Sequence, residues 1–174
     1  MNTVIIYGSQ YGTTRQYAER FAEMTRFPII DYKNVKALTD YDRIIYFGAL
    51  YASGVKGLKD TTKRMSANTK LIIVTVGLSD GRNKENLTNI RNSIRQQVPE
   101  RLLDTASFFH LRGGIDYSQL NFMHKIMMKM VFNSLKNKPD ESLTQEDKEL
   151  IKTYNKKIDF VDFDSLKQIA EAIQ

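Results

Sequence analysis

The sequence contains no cysteine, and that absence removes disulfides, thiol redox chemistry and thiolate metal sites together. Two histidines leave little material for a metal centre, so no metal is expected. Any redox chemistry must come from a bound cofactor. No uncharged run reaches the roughly 18 residues that a spanning helix needs. The N-terminus carries a strand pattern where a secretory signal would lie, so the expectation is a cytoplasmic protein. Two phosphate-binding signatures are missing as well. No lysine follows Gly12, which excludes the G-x-x-x-x-G-K-[ST] loop of triphosphate sites. Gly8 and Gly12 do not have the G-x-G-x-x-G spacing of a dinucleotide site.

What is present is a strand, a loop and a helix in immediate succession. The β-branched run Thr3-Val4-Ile5-Ile6-Tyr7 leads into Gly8-Ser9-Gln10-Tyr11-Gly12-Thr13-Thr14, and Tyr17, Phe21 and Met24 then recur at helical spacing. At such a corner the leading amides of the helix and its positive dipole end favour an anion, and the hydroxyls of Ser9, Thr13 and Thr14 add donors. A hydroxyl-rich loop without a fixed cation suits a terminal phosphate monoester such as the ribityl phosphate of FMN.

Further along, Pro28 to Asp31 reads as a short second strand, Val35 to Leu38 as a brief helical turn, and Arg43 to Gly48 as a third strand. A helix from Val55 to Met65, a fourth strand from Lys70 to Gly77, and a helix from Lys84 to Gln97 stopped by Pro99 follow. Thr105 to Leu111 is the fifth strand and Phe163 to Ile173 the closing helix. The alternation predicts one α/β domain over residues 1–174, a doubly wound sandwich on a five-stranded parallel sheet of order 2-1-3-4-5. Between the fifth strand and the last helix, at 113–160, lies a helical insertion of about fifty residues, where a βα loop normally has about two to six. It holds a basic amphipathic helix from Leu120 to Leu135 and an acidic segment from Thr144 to Tyr154, in which Thr144 and Asp147 have capping spacing.

Ligands in such folds sit beyond the carboxyl ends of the strands. Behind the third strand, Ala49, Leu50, Tyr51, Ala52, Ser53 and Gly54 combine small residues with one aromatic face suited to stacking on a flavin ring. Behind the fourth, Gly77, Leu78 and Ser79 lead a loop that either supplies backbone donors to the ring's pyrimidine edge or forms a plain turn. Asp31 reads as an exposed loop acid, and His110 and His124 as structural or surface residues. No catalytic acid or base is identifiable.

Ser9-Gln10-Tyr11-Gly12-Thr13-Thr14 resembles the first loop of the flavodoxin family, [ST]-x-[TYS]-G-x-[TS], at every position. The resemblance implies FMN as cofactor, held by Ser9, Gln10, Tyr11, Gly12, Thr13 and Thr14. The segment from Leu111 to Met130, with its Gly113-Gly114 pair followed by Tyr117 and a Met-, Ile- and Lys-rich helix, is similar to the menaquinone-dependent protoporphyrinogen oxidase group. That likeness extends over nearly the whole chain. It implies an insertion framing the flavin, with Gly113, Gly114 and Tyr117 as site residues, and a quinone or porphyrinogen-like molecule as redox partner.

Phe122, Met123, Ile126, Met127, Met130 and Val131 form one broad apolar face with Lys125, Lys129 and Lys136 nearby. Such a face is either core packing or an interfacial segment that meets an anionic bilayer on the cytoplasmic side. The expected function is an FMN-dependent oxidoreductase. Its rivals are a small electron carrier and, from another class, a basic binding module for anionic lipid or nucleic acid. The net charge of +6 fits either class, but no dedicated nucleic-acid motif accompanies it, so no nucleic acid is expected.

Overall fold

The computed structural model describes residues 1–51 and 54–173, which leaves Ala52 and Ser53 of the expected ring loop outside the described residues. Its strands are β1 (Thr3–Gly8), β2 (Ile29–Asp31), β3 (Arg43–Tyr51), β4 (Gly54–Val55), β5 (Lys70–Gly77), β6 (Ser107–Arg112), β7 (Gly114–Asp116) and β8 (Lys157–Asp159). The helices are α1 (Thr13–Thr25), α2 (Leu58–Thr62), α3 (Lys84–Arg95), α4 (Glu100–Leu103), α5 (Phe122–Leu135), α6 (Gln145–Thr153) and α7 (Leu166–Ala172).

The central strands lie parallel in the order β2-β1-β3-β5-β6, which is the expected 2-1-3-4-5 with β4 added as a short antiparallel partner of β3. The alternation of side chains along each strand divides the core in two. Val4, Ile6, Ile44, Tyr46 and Ile73 face one way and pack with Leu58, Ile90 and Ile94. Ile5, Ile45, Phe47, Ile72 and Val74 face the other way and pack with Tyr17, Phe21, Leu166 and Ile169. Both faces are covered, so the strands read as continuous apolar runs. Each fully buried Ile or Phe there contributes about 1.5–3 kcal/mol.

Three local expectations give way. The helix anticipated over Val55 to Met65 shrinks to α2. Gly54 (φ +117) turns the chain so that Val55 pairs back onto Leu50, and Gly57 (φ +74) delays the helix start. The turn anticipated over Val35 to Leu38 instead forms at Tyr32–Asn34, where the Asp31 carboxylate accepts the Lys33 amide at 2.9 Å, and Leu38 bridges to Met65. The closing helix begins as a 3-10 turn at Phe163–Ser165 before α7.

The insertion is helical but also carries its own two-stranded antiparallel sheet, β7 on β8, which ties its two ends together. Asn121 caps α5 by accepting the His124 amide at 2.8 Å. Thr144 and Asp147 form the full reciprocal capping box at the start of α6. A small cluster of Ile115, Tyr117, Leu120 and Met128 packs with Tyr11, Leu78, Leu150 and Tyr154 and seats the insertion beside the strand ends.

Candidate functional site

The carboxyl ends of β1, β3 and β5 open onto a cavity of about 600 Å³, within the ~300–1,000 Å³ usual for cofactor-sized ligands. Gln10, Tyr11, Thr13 and Thr14 line it behind β1, and Ala49, Leu50, Tyr51 and Gly54 behind β3. Gly77 and Leu78 follow from β5, and Gly113, Gly114 and Ile115 from the start of the insertion. The insertion also lines it with Met127, Met128 and Val131 of α5 and Glu146, Asp147 and Leu150 of α6. Ser9, Gly12, Ser79 and Tyr117 are not part of this lining.

At the β1–α1 corner, Gly12 caps α1 with φ +93, and no described side chain bonds to the helix's leading amides. Those amides keep the anion-seeking character of an uncapped N-terminus. The hydroxyls are partly committed: Ser9 Oγ accepts the Gly12 amide at 3.2 Å, and Thr13 donates to the Gly114 carbonyl at 3.0 Å. Thr14 is buried on the cavity wall. The loop contains no cation, but the hairpin after β3 brings one: Lys56 Nζ donates to Gln10 Oε1 and stands 5.8 Å from the Tyr51 ring centre. Burial holds the Lys56 ammonium below its ordinary pKa, with Lys33 adding to the effect. Gln10 also meets His124 of α5, nitrogen to nitrogen, at 2.6 Å.

The phenol oxygens of Tyr11 and Tyr51, both cavity residues, are buried without a hydrogen-bond partner among the described residues. Burial pushes both phenols up. Orphaned polar atoms on a cavity wall fit a site built for a ligand with polar edges, because an unmade buried bond is costly. Tyr117 has an orphaned hydroxyl as well, but it packs edge-on against Tyr154 at 5.3 Å inside the insertion cluster, where burial pushes its phenol up to about 12.

The loop after β5 is fixed on every side. Arg112 donates to the Leu78 carbonyl at 2.9 and 3.1 Å, and its guanidinium lies 3.7 Å from the Phe160 ring centre. His110 donates from Nε2 to the Ser79 carbonyl at 3.1 Å, and burial keeps this imidazole below its ordinary pKa. The amides of Leu78 and Ser79 donate to Glu146 of α6 at 2.7 and 2.9 Å. Gly113 bonds its amide to the Gly77 carbonyl at 2.7 Å, and a Cβ on it would lie 2.9 Å from Val76 Cγ1. Its small size serves the close approach of the insertion to β5.

Sequence reasoning missed Lys56, Arg112 and Glu146. Lys56 reaches the site only because Gly54 and Gly57 bend the chain back. Glu146 had one visible signal, its place in the first turn of the acidic segment behind the Thr144 cap. Among the described residues no group of histidine and carboxylate side chains could hold a metal, and no helix is long and apolar enough to cross a membrane.

The sequence matches the flavodoxin domain over residues 4–142. The chain belongs to the flavodoxin-domain family. FMN is the cofactor that this membership brings to the cavity, and the uncapped α1 terminus, the small-residue wall and the orphaned phenols fit it. No curated protein matches the sequence. Among solved structures, the Trp repressor binding protein of Bacillus subtilis is similar at 16% identity and TM-score 0.41, over 64% of this chain and 83% of that one. A flavoprotein in complex with FMN from Lactobacillus acidophilus is similar at 13% identity and TM-score 0.41, over 64% and 91%. A cysteine-to-alanine mutant of flavodoxin from Pseudomonas aeruginosa is similar at 13% identity and TM-score 0.35, over 75% and 93%.

Proposed function

We propose that this flavodoxin-domain protein is an FMN-dependent oxidoreductase of the protoporphyrinogen oxidase type, passing electrons between an apolar, porphyrinogen-like substrate and a quinone at an anionic membrane surface. When bound, FMN supplies the hydride or paired single-electron transfer. The chain supplies the rest. The leading amides of α1 and Thr14 hold the phosphate, Tyr51 orients the ring, and Arg112 and His110 keep the 77–79 loop rigid.

The observation that carries the reading is the two-sided character of α5. Met127, Met128 and Val131 line the cavity, while Phe122, Met123 and Met130 are 75%, 69% and 68% exposed. Exposure of so many large apolar side chains on one helix disfavours the core-packing reading and marks a surface that meets something apolar. Lys125 and Lys129 are exposed on the same helix and give that surface the charge that anionic headgroups attract. A lipophilic substrate arriving along α5 would reach the cavity without crossing water.

Co-sedimentation with phosphatidylglycerol vesicles, paired with turnover of a lipophilic quinone, tests the proposal. Lys125→Glu with Lys129→Glu, and separately Phe122→Ser with Met123→Ser, should abolish vesicle binding and lower turnover while FMN affinity stays unchanged. Vesicle binding and turnover that survive both pairs overturn the membrane reading. Electron transfer to a protein acceptor alone returns the protein to the electron carriers.

A further inference from the structure

Glu146 sits in the first turn of α6, which the Thr144–Asp147 box holds in place. Its two carboxylate oxygens take one amide each, Leu78 at 2.7 Å and Ser79 at 2.9 Å, across 68 and 67 residues of chain. The approach depends on Gly77, where a Cβ would lie 2.9 Å from Glu146 Oε2. These amides belong to the loop that follows β5, whose Leu78 lines the cavity with Ser79 next to it, and Glu146 itself lines the cavity. An amide proton bound by an ionised carboxylate makes a charge-assisted bond, stronger than one to a neutral carbonyl. The planar fork of a carboxylate also presents two adjacent acceptors, as do N1 and the C2 carbonyl oxygen at the pyrimidine edge of an oxidised flavin. One pair of amides can serve either fork but not both.

We propose that Glu146 is an internal ligand of the ring-edge subsite, which competes with the flavin for the Leu78 and Ser79 amides and thereby sets cofactor affinity. Binding of the ring edge exchanges partners: the carboxylate leaves the two amides for water, and the first turn of α6 loosens from β5. Because α6 carries Asp147 and Leu150 on the same cavity wall, that exchange also widens the cavity on the insertion side. The proposal rests on the FMN reading of the cavity.

The test uses the full chain freed of flavin and titrated with FMN, with binding read by quenching of flavin fluorescence. Glu146→Gln retains the shape but removes the charge, and Glu146→Ala removes the competitor. Kd should fall about tenfold or more for Ala, with Gln between Ala and the unaltered chain. In the unaltered chain, FMN should raise hydrogen exchange of the amides in the first turn of α6 while protecting those of the α1 corner. A Kd that is unchanged or raised in both variants, or protection of the α6 turn by FMN, overturns the proposal and leaves the FMN reading standing. Failure of both the variants and the unaltered chain to bind FMN removes that reading and the proposal with it.

Discussion

The sheet and the insertion place their side chains in opposite senses. Around the sheet, apolar side chains are sealed away, with Phe47, Ile45 and Val74 fully buried, and the buried polar side chains there are mostly small hydroxyls such as Thr3, Thr62 and Thr75. In the insertion, α5 exposes Phe122 and Met130, while the polar side chains of α6 and of His124 reach inward to the 77–79 loop and to Gln10. The contrast shows which part is scaffold. The sheet buries a large apolar cluster on each of its faces. The insertion rests on one small cluster and on directed hydrogen bonds, and its helices are free to contribute specificity.

Truncation of aromatic side chains of equal size should separate the two regions by the widest margin. Phe47 packs against Phe21 at 5.5 Å between ring centres in the sealed core. Phe47→Ala should cost about 3–5 kcal/mol, a large part of the ~5–15 kcal/mol that holds a typical domain together. Phe122→Ala should stay within about 0.5 kcal/mol. Urea denaturation of the two variants side by side checks this. Comparable losses would mean that the α5 face packs against something in solution and that the scaffold extends into the insertion.

A smaller effect is expected at the sheet's own site. Gly12 has φ +93, and nothing lies within 4 Å of where its Cβ would be, so a substitution there tests backbone conformation and not space. Gly12→Ala should cost about 1–2 kcal/mol and weaken FMN binding, because the residue caps α1 and aims its leading amides. Thermal denaturation and FMN titration of the same variant separate the two. Lost stability with unchanged affinity would place the phosphate elsewhere than at this corner.

The legibility of these regions in sequence follows the range of the forces that make them. Strands such as Arg43 to Gly48 are almost wholly apolar after the leading arginine because both faces of a central parallel strand are covered, and that pattern is visible residue by residue. The order of the sheet follows from the alternation of strands with helices. The hydroxyl-rich corner at Ser9 to Thr14 is local too. Two glycines hid the hairpin of β4, since a helical pattern and a tight return read alike until the positive φ values at Gly54 and Gly57 are known. Glu146 was invisible as a cavity residue because its partners are 67 and 68 positions away, and composition alone cannot tell a carboxylate that meets water from one that meets Leu78 and Ser79. The same holds for Lys56 at Gln10.

The smallest expected effect is at Tyr117, which the resemblance placed among the site residues and which packs in the insertion's own cluster. Its hydroxyl is buried without a partner among the described residues, so it brings a desolvation cost and no bond in return. Tyr117→Phe keeps the ring and its edge contact with Tyr154 and removes the orphaned oxygen. Stability at neutral pH should be unchanged or higher by up to about 1 kcal/mol. The pH dependence gives a second reading. Burial raises the phenol from an ordinary value of 10.0 to about 12 in the folded chain. Between those values the unfolded chain has released the proton that the folded chain still holds, so stability falls as pH rises from 10 towards 12. Tyr117→Phe should make that alkaline decline shallower by up to one proton, while Tyr51 and Tyr46, whose phenols are also raised by burial, continue to contribute to it. Urea midpoints measured at neutral pH and in that alkaline window check both parts. A loss of stability at neutral pH would mean that the Tyr117 hydroxyl is bonded in solution.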